Sequence, residues 1–196
     1  MRSFLLTAGF LSFVTFFLSA QDTPKLELFG GYQFLHAGSF DGEGDSANTN
    51  GWNAAATFNL KEQIGITADF SGNYKSENVV NSINNLPYPA HVHIYTYTFG
   101  PVFSWNTQHN MRVFAHALFG GAHLRPTGCV IFSGSPDECG SGAASGFAMM
   151  LGGGLDVRAG NFAALRVVQV DWAYLPSEFG GQSANVRVSS GIVFRF

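Results

Sequence analysis

The sequence predicts an all-β protein, an eight-stranded antiparallel up-and-down barrel that crosses a membrane. Three observations predict it. First, eight stretches alternate apolar with small or polar residues at a period of two, the mark of strands with two unlike faces. Second, short turns alternate with long Gly/Ser/Asn/Asp-rich loops, and the strand count is even, as a closed up-and-down barrel requires. Third, only 12% of the 196 residues are charged, against about 25% in ordinary soluble domains, while the apolar fraction of 46% is unexceptional. Apolar residues are therefore interleaved rather than massed. The excess lies in Gly (24) and Phe (20), which suit tight barrel positions and a lipid-facing aromatic surface.

The elements follow in order. Lys25 to His36 alternates Leu26, Leu28, Gly30, Tyr32 and Phe34 against Glu27, Phe29, Gly31, Gln33 and Leu35. Residues 37–50 are loop chemistry. The second strand, from Gly51 to Leu60, sets Trp52, Ala54, Ala56 and Phe58 opposite Asn53, Ala55, Thr57 and Asn59. After a short turn at 61–63, the third runs from Ile64 to Tyr74, with Ile66, Ala68 and Phe70 outward and Thr67, Asp69 and Ser71 inward. A second long loop is expected at 75–90. The fourth strand, His91 to Phe103, offers Tyr95, Tyr97 and Phe99 opposite Thr96, Thr98 and Gly100. Pro101 cannot donate to a ladder and is expected near the strand end or at a bulge. The turn at 104–110 leads to the fifth strand, Met111 to His123, with Arg112, Phe114, His116 and Leu118 inside. The sixth, Gly146 to Val157, turns Met150, Gly152, Gly154 and Asp156 inward. The seventh, Phe162 to Tyr174, turns Gln169 and Asp171 inward and leaves Arg166 nominally facing lipid, so Arg166 either snorkels to the interface or marks a bulge.

The last stretch, Ala184 to Phe196, alternates Val186, Val188, Ser190, Ile192, Phe194 and Phe196 against Asn185, Arg187, Ser189, Gly191, Val193 and Arg195. It resembles the closing strand of bacterial outer-membrane β-barrels, and the pattern over the mature chain is most similar to the small OmpA/OmpX-type barrel. The resemblance implies that Phe196, with Phe194 and Ile192, is the signal read by the barrel-assembly machinery. It also implies residence in the outer membrane as a monomer, among outer-membrane lipid and lipopolysaccharide, with any extracellular ligand held by the loops. No peptidoglycan-binding domain of the family's longer members is expected after Phe196. The rival fold, a soluble lipocalin-like barrel, would need an apolar interior and a charged exterior, which the polar positions here do not provide.

Residues 1–20 read as a secretory signal peptide: Arg2, an apolar run from Phe4 to Leu18, then Ser19 and Ala20. The run is shorter than the roughly 20 residues of a spanning helix. Residues 21–196 then form one barrel domain. Export makes a bridge between the two cysteines, Cys129 and Cys139, the default; a loop this short would be stabilised by roughly 2 to 3 kcal/mol. The formal charge of −3, with no basic stripe, gives no case for nucleic acid.

An eight-stranded barrel is just filled by its inward side chains, so no porin-sized channel is expected. Strand geometry pairs Glu27 with Arg195, Arg112 with Asp156, and Arg187 with Asp171, in structural ion pairs. His36, His91, His93 and His123 fall at the outer strand ends; His91 and His93 share a face as metal ligands could, and the reading preferred here is that they are rim residues of the headgroup region, with no metal and no cofactor. The rival class is a lipid-modifying enzyme of the acyltransferase or deacylase type, with His36, Asp45 and Ser46 as the set to nominate. The deacylase His-x-Ser pattern and the acyltransferase's leading amphipathic helix are both missing, and a Ser/Asp/Gly loop is ordinarily a loop. The expectation is a non-enzymatic barrel with a structural or surface-interaction role. A small-solute channel is the remaining alternative.

Overall fold

The computed structural model describes residues 24–37, 47–80, 87–107, 110–130, 138–141, 143–175 and 185–196. They form nine strands: β1 (Leu26–Ala37), β2 (Ala47–Asn59), β3 (Ile64–Val80), β4 (Pro87–Asn106), β5 (Met111–Val130), β6 (Glu138–Ser141), β7 (Ala144–Arg158), β8 (Ala163–Tyr174) and β9 (Asn185–Arg195). Eight make the wall. The ladder runs β4-β3-β2-β1-β9-β8-β7-β5, and the pairing of β4 with β5 closes it into a barrel. Closure is what lipid demands of a sheet, because no solvent is present to satisfy an open edge. The segment 1–20 lies outside the described residues, and its reading as a leader stands as a proposal.

Tight turns all lie at one end. Leu60 N–H donates to Ile64 O at 2.9 Å, Thr107 N–H to Met111 O at 2.8 Å and Ala159 N–H to Ala163 O at 2.9 Å. At the same end the start of β1 meets the end of β9: Leu26 and Phe196 exchange backbone bonds of 3.1 and 2.8 Å. At the other end the strands overshoot. A spanning strand needs about 9–11 residues, whereas β3 has 17 and β4 and β5 have 20 each. The segment expected as a loop at 75–90 is therefore largely strand, with Lys75 opposite Val92 and Val80 opposite Pro87; β5 likewise runs on to Val130 and β2 starts four residues before Gly51. The Ser, Glu and Asn of this stretch are weak strand formers alone, but a hairpin already in register extends by adding one ladder rung at a time. Among the described residues the ninth strand, β6, pairs only with β5 and stands outside the wall.

Pro101 sits well inside β4, and no bulge accompanies it: the register with β5 is the same at Phe99–Phe119 and at Val102–His116. The ladder with β5 is interrupted at Gly100 and Pro101 and resumes in the same register, and Gly100 allows the neighbouring backbone to stay close, since a Cβ there would meet Ala117 O at 2.1 Å.

The bulge is in β8. Arg166 faces Gly191 and Gln169 faces Ser189, so Val167 and Val168 together oppose Ser190, and both point outward. This turns Arg166 inward, where it is 8% exposed. A bulge strands backbone groups in lipid; the Ser190 hydroxyl donates to Arg166 O at 3.0 Å and satisfies one.

The two faces are chemically opposite. Outward stand Leu28, Phe58, Ile66, Phe70, Phe99, Phe103, Leu151, Val170, Ile192 and Phe194, all more than a third exposed, with Tyr32, Trp52, Tyr74, Tyr97 and Trp172 towards the overshooting end. An apolar belt edged with Tyr and Trp is the surface of a membrane barrel.

Candidate functional site

The lumen is filled from wall to wall. Buried inside are four arginines (Arg112, Arg166, Arg187, Arg195), four carboxylates (Glu27, Asp69, Asp156, Asp171) and His116, so the formal charges cancel when the imidazole is neutral. Burial of an unpaired ion costs several kcal/mol; here every one of these charges has an opposite partner. At the tight-turn end Arg112 reaches across the lumen to Glu27, four places away in an eight-membered ring, and also donates to Ser104 Oγ at 2.7 Å. Arg195 Nε lies 3.3 Å from the same Glu27 carboxylate. Arg166 takes Asp156 in a fork of 2.8 and 3.2 Å and donates to Gln169 Oε1 at 2.7 Å. Its guanidinium lies between the rings of Phe29 and Phe114, 4.4 and 4.2 Å from their centroids, a double cation–π contact.

Gln169 links this layer to the next by donating to Asp171 Oδ2 at 2.8 Å. There Arg187 joins two carboxylates: Nη1 and Nη2 donate to Asp69 at 2.7 and 3.3 Å, and Nε donates to Asp171 at 2.7 Å. His116 Nε2 is 2.8 Å from the other Asp171 oxygen, and Asn53 donates to Asp69 at 2.9 Å. Gly152 makes the room, because a Cβ there would meet Asp171 Oδ1 at 2.2 Å. The free space left around this network is about 10 Å³, on the order of one water molecule. Further towards the long-loop end the filling turns apolar: Leu35, Ile94, Leu118, Leu124, Met150, Ala173 and Leu175 form one buried cluster.

The sequence-predicted pairs thus meet the structure unevenly. Glu27 with Arg195 and Asp171 with Arg187 are brought into contact. Arg112 and Asp156 are cross-strand partners in the backbone, but Arg112 turns to Glu27 and Asp156 takes Arg166. The bulge is the reason, since it delivers a second inward arginine beside Asp156. The sequence places Asp69 inward without naming a partner, and leaves Arg166 either snorkelling from the lipid face or turned by a bulge; the register shift in β8 decides for the bulge.

Phe194 and Ile192 point into the lipid-facing belt, and Phe196 is 45% exposed beside them. His36 is hydrogen-bonded to Asn48 at 2.7 Å, while Asp45 and Ser46 lie outside the described residues. Among the described residues no group of three or more His, Cys, Asp or Glu side chains could hold a metal ion.

Beyond the belt, β3, β4, β5 and β6 form a protruding sheet. From Ser76 to Val80, β3 has β4 as its ladder partner, and β6 has β5. The register places Cys129 directly opposite Cys139, a pairing whose Cα spacing of about 4.5–5.5 Å falls within the range a disulfide spans. We propose that the two are bridged in the exported protein, clamping β6 to β5. Non-reducing electrophoresis with thiol labelling should find no free thiol in the wild type and one in Cys129→Ser; labelling of both cysteines without reductant would refute the bridge.

A closed eight-stranded antiparallel barrel with an apolar belt, a packed lumen and strands prolonged at the long-loop end is the fold of the small transmembrane β-barrels of the bacterial outer membrane. Among solved structures the chain is similar to Ail, the attachment invasion locus protein of Yersinia pestis, in complex with the heparin analogue sucrose octasulfate, at 16% identity and TM-score 0.63 over 89% of this chain and 99% of that one. It is also similar to Neisserial surface protein A, at 11% identity and TM-score 0.61 over 90% and 100% of the two chains. No family model and no curated protein sequence matches the chain.

Proposed function

We propose that the protein is a non-enzymatic, closed outer-membrane barrel that acts at the cell surface through its protruding β3–β6 sheet. The observation that carries this reading is the contrast between the two halves. Among the described residues the free space in the lumen is on the order of one water molecule, while one arc of the wall runs past the lipid as strands whose outer edges carry backbone donors and acceptors that no described strand takes up. A strand edge of this kind takes an extended segment of another protein by adding a rung to its ladder. That Ail is a structural neighbour, and that its complex holds a heparin analogue, supports an extracellular ligand here; the edge-rich sheet favours a protein. The monomeric state, the assembly machinery as partner in biogenesis and lipopolysaccharide as surrounding lipid belong to the same proposal.

The test has two arms. Purified protein in planar bilayers should give no stable porin-sized conductance, and liposomes carrying it should not swell in isosmotic sugar; reproducible sugar permeation would replace the closed-barrel reading with the channel alternative. Cells displaying the protein should adhere to protein-coated surfaces, and replacing residues 76–90 by a tight turn should abolish adhesion while the unboiled protein still migrates as a compact band. Equal adhesion by the shortened variant would remove the surface role and leave a structural one.

A further inference from the structure

The outward face at the upper edge of the belt differs from the rest of the exterior. Registers place three rows there: Ser76 beside His91; Tyr74 beside His93 beside Arg125; Gly72 beside Tyr95 beside His123 beside Ser145. Three histidines and an arginine thus share one contiguous patch, and none of these positions is Asp or Glu. Directly below, the next row is Phe70, Tyr97, Gly121 and Phe147, so the patch opens sideways onto lipid rather than upward onto water.

Its hydrogen bonds point to a use. Arg125 Nε donates to His123 Nε2 at 3.0 Å, so that nitrogen is the acceptor; His123 Nδ1 therefore carries the proton and donates to Ser145 Oγ at 2.6 Å. The imidazole is thereby spent on orienting the guanidinium. The two terminal nitrogens of Arg125 have no partner among the described residues, and the side chain is exposed. His93 is held edge-on between Tyr74 and Tyr95, with ring centroids at 5.2 and 6.5 Å, and its ring nitrogens also have no partner among the described residues. His91 keeps one ring nitrogen after its bond to Ser76 at 2.8 Å. A fixed guanidinium fork beside imidazole N–H donors, at the boundary of a low-dielectric belt, is the geometry that receives a phosphate group.

We propose that this face of β3, β4, β5 and β7 binds the phosphate of a phosphorylated outer-leaflet lipid, with Arg125 as its principal ligand, His93 and His91 as further donors, and His123 as a positioning residue. The occupant is a lipid because the patch continues into the apolar belt: acyl chains would lie along Phe70, Tyr97 and Phe147 while the phosphate meets Arg125. The proposal rests on the membrane-barrel reading, and the compact unboiled band of each variant keeps the two separable.

The experiment is native mass spectrometry from a phosphate-free non-ionic detergent with an equimolar mixture of diphosphoryl lipid A and its dephosphorylated form. The wild type should retain the phosphorylated lipid preferentially. Arg125→Gln should lower that preference about tenfold, the loss expected of one bidentate charge-assisted contact, and His123→Ala should lower it less. His123→Gln, whose amide oxygen can accept from Arg125 Nε, should restore part of it, whereas Arg158→Gln at the opposite rim should leave it unchanged. Equal retention of the two lipids, or an undiminished preference in a folded Arg125→Gln variant, would overturn the proposal. So would displacement of the lipid by equimolar inorganic phosphate, which would mark a site for the free anion.

Discussion

Cells producing Phe196→Asp, or the chain lacking Phe196, export the protein and fail to assemble it: immunoblots of membrane fractions should show little or no compact barrel, with the chain degraded or held in the periplasm. The magnitude of the folded-state effect makes this a test of recognition rather than of stability. Phe196 is 45% exposed on the outer surface, so losing its side chain removes at most about 1.5–3 kcal/mol of burial. Its backbone bonds to Leu26, at 2.8 and 3.1 Å, survive the Asp substitution and are lost in the deletion. Phe196→Asp should consequently still refold in detergent with a modestly reduced urea midpoint while failing in the cell, the outcome expected of our proposal that the assembly machinery reads this aromatic. Normal assembly levels in the cell would take away the assignment of Phe196, Phe194 and Ile192 as that signal.

Arg187→Met should cost about 3–5 kcal/mol of unfolding free energy, the loss expected when one member of a buried ion cluster is removed. Arg187 is 1% exposed and holds Asp69 and Asp171 together; without it two carboxylates remain buried at close quarters, with only His116, Gln169 and Asn53 to face them. Urea titration followed by the shift between compact and unfolded bands measures the loss directly. Arg187→Lys keeps the charge and gives up the fork, and should fall between. The combination of Arg187→Met with Asp69→Asn and Asp171→Asn should recover more than half of the loss, because it removes the uncompensated charges rather than the packing. A single Arg187→Met variant within about 1 kcal/mol of the wild type would mean that water reaches this layer and that the lumen is wetter than its packing implies.

The fold class and the orientation of most side chains were legible because a barrel wall has only two faces and a strand alternates between them. Glu27, Asp69, His116, Asp171 and Arg187 stand inward for the same reason that Phe70, Phe99 and Ile192 stand outward: each occupies its place in a period of two. Strand ends were less legible. Residues 75–80 and 87–90 carry turn-like composition, yet they pair because the hairpin beneath them has already fixed the register; that is a property of two strands together and not of either. The rim histidines could be placed at the outer ends from the sequence, whereas the bond from Arg125 to His123 required knowing that β5 overshoots the belt.

The sequence by itself determined that this chain is a closed eight-stranded wall with a polar lumen and an apolar exterior, since alternation, strand count and a scarcity of charge leave little else that lipid tolerates. Only the tertiary structure decided which cation meets which carboxylate. Arg112 and Glu27 stand 85 residues apart on opposite walls, Arg187 and Asp69 stand 118 apart, and one extra residue in β8 moved Arg166 from lipid to Asp156. Such partnerships depend on the circumference and stagger of the whole barrel, which no single strand encodes, because a long arginine side chain can reach any of several carboxylates and takes the one that closure brings within hydrogen-bond distance.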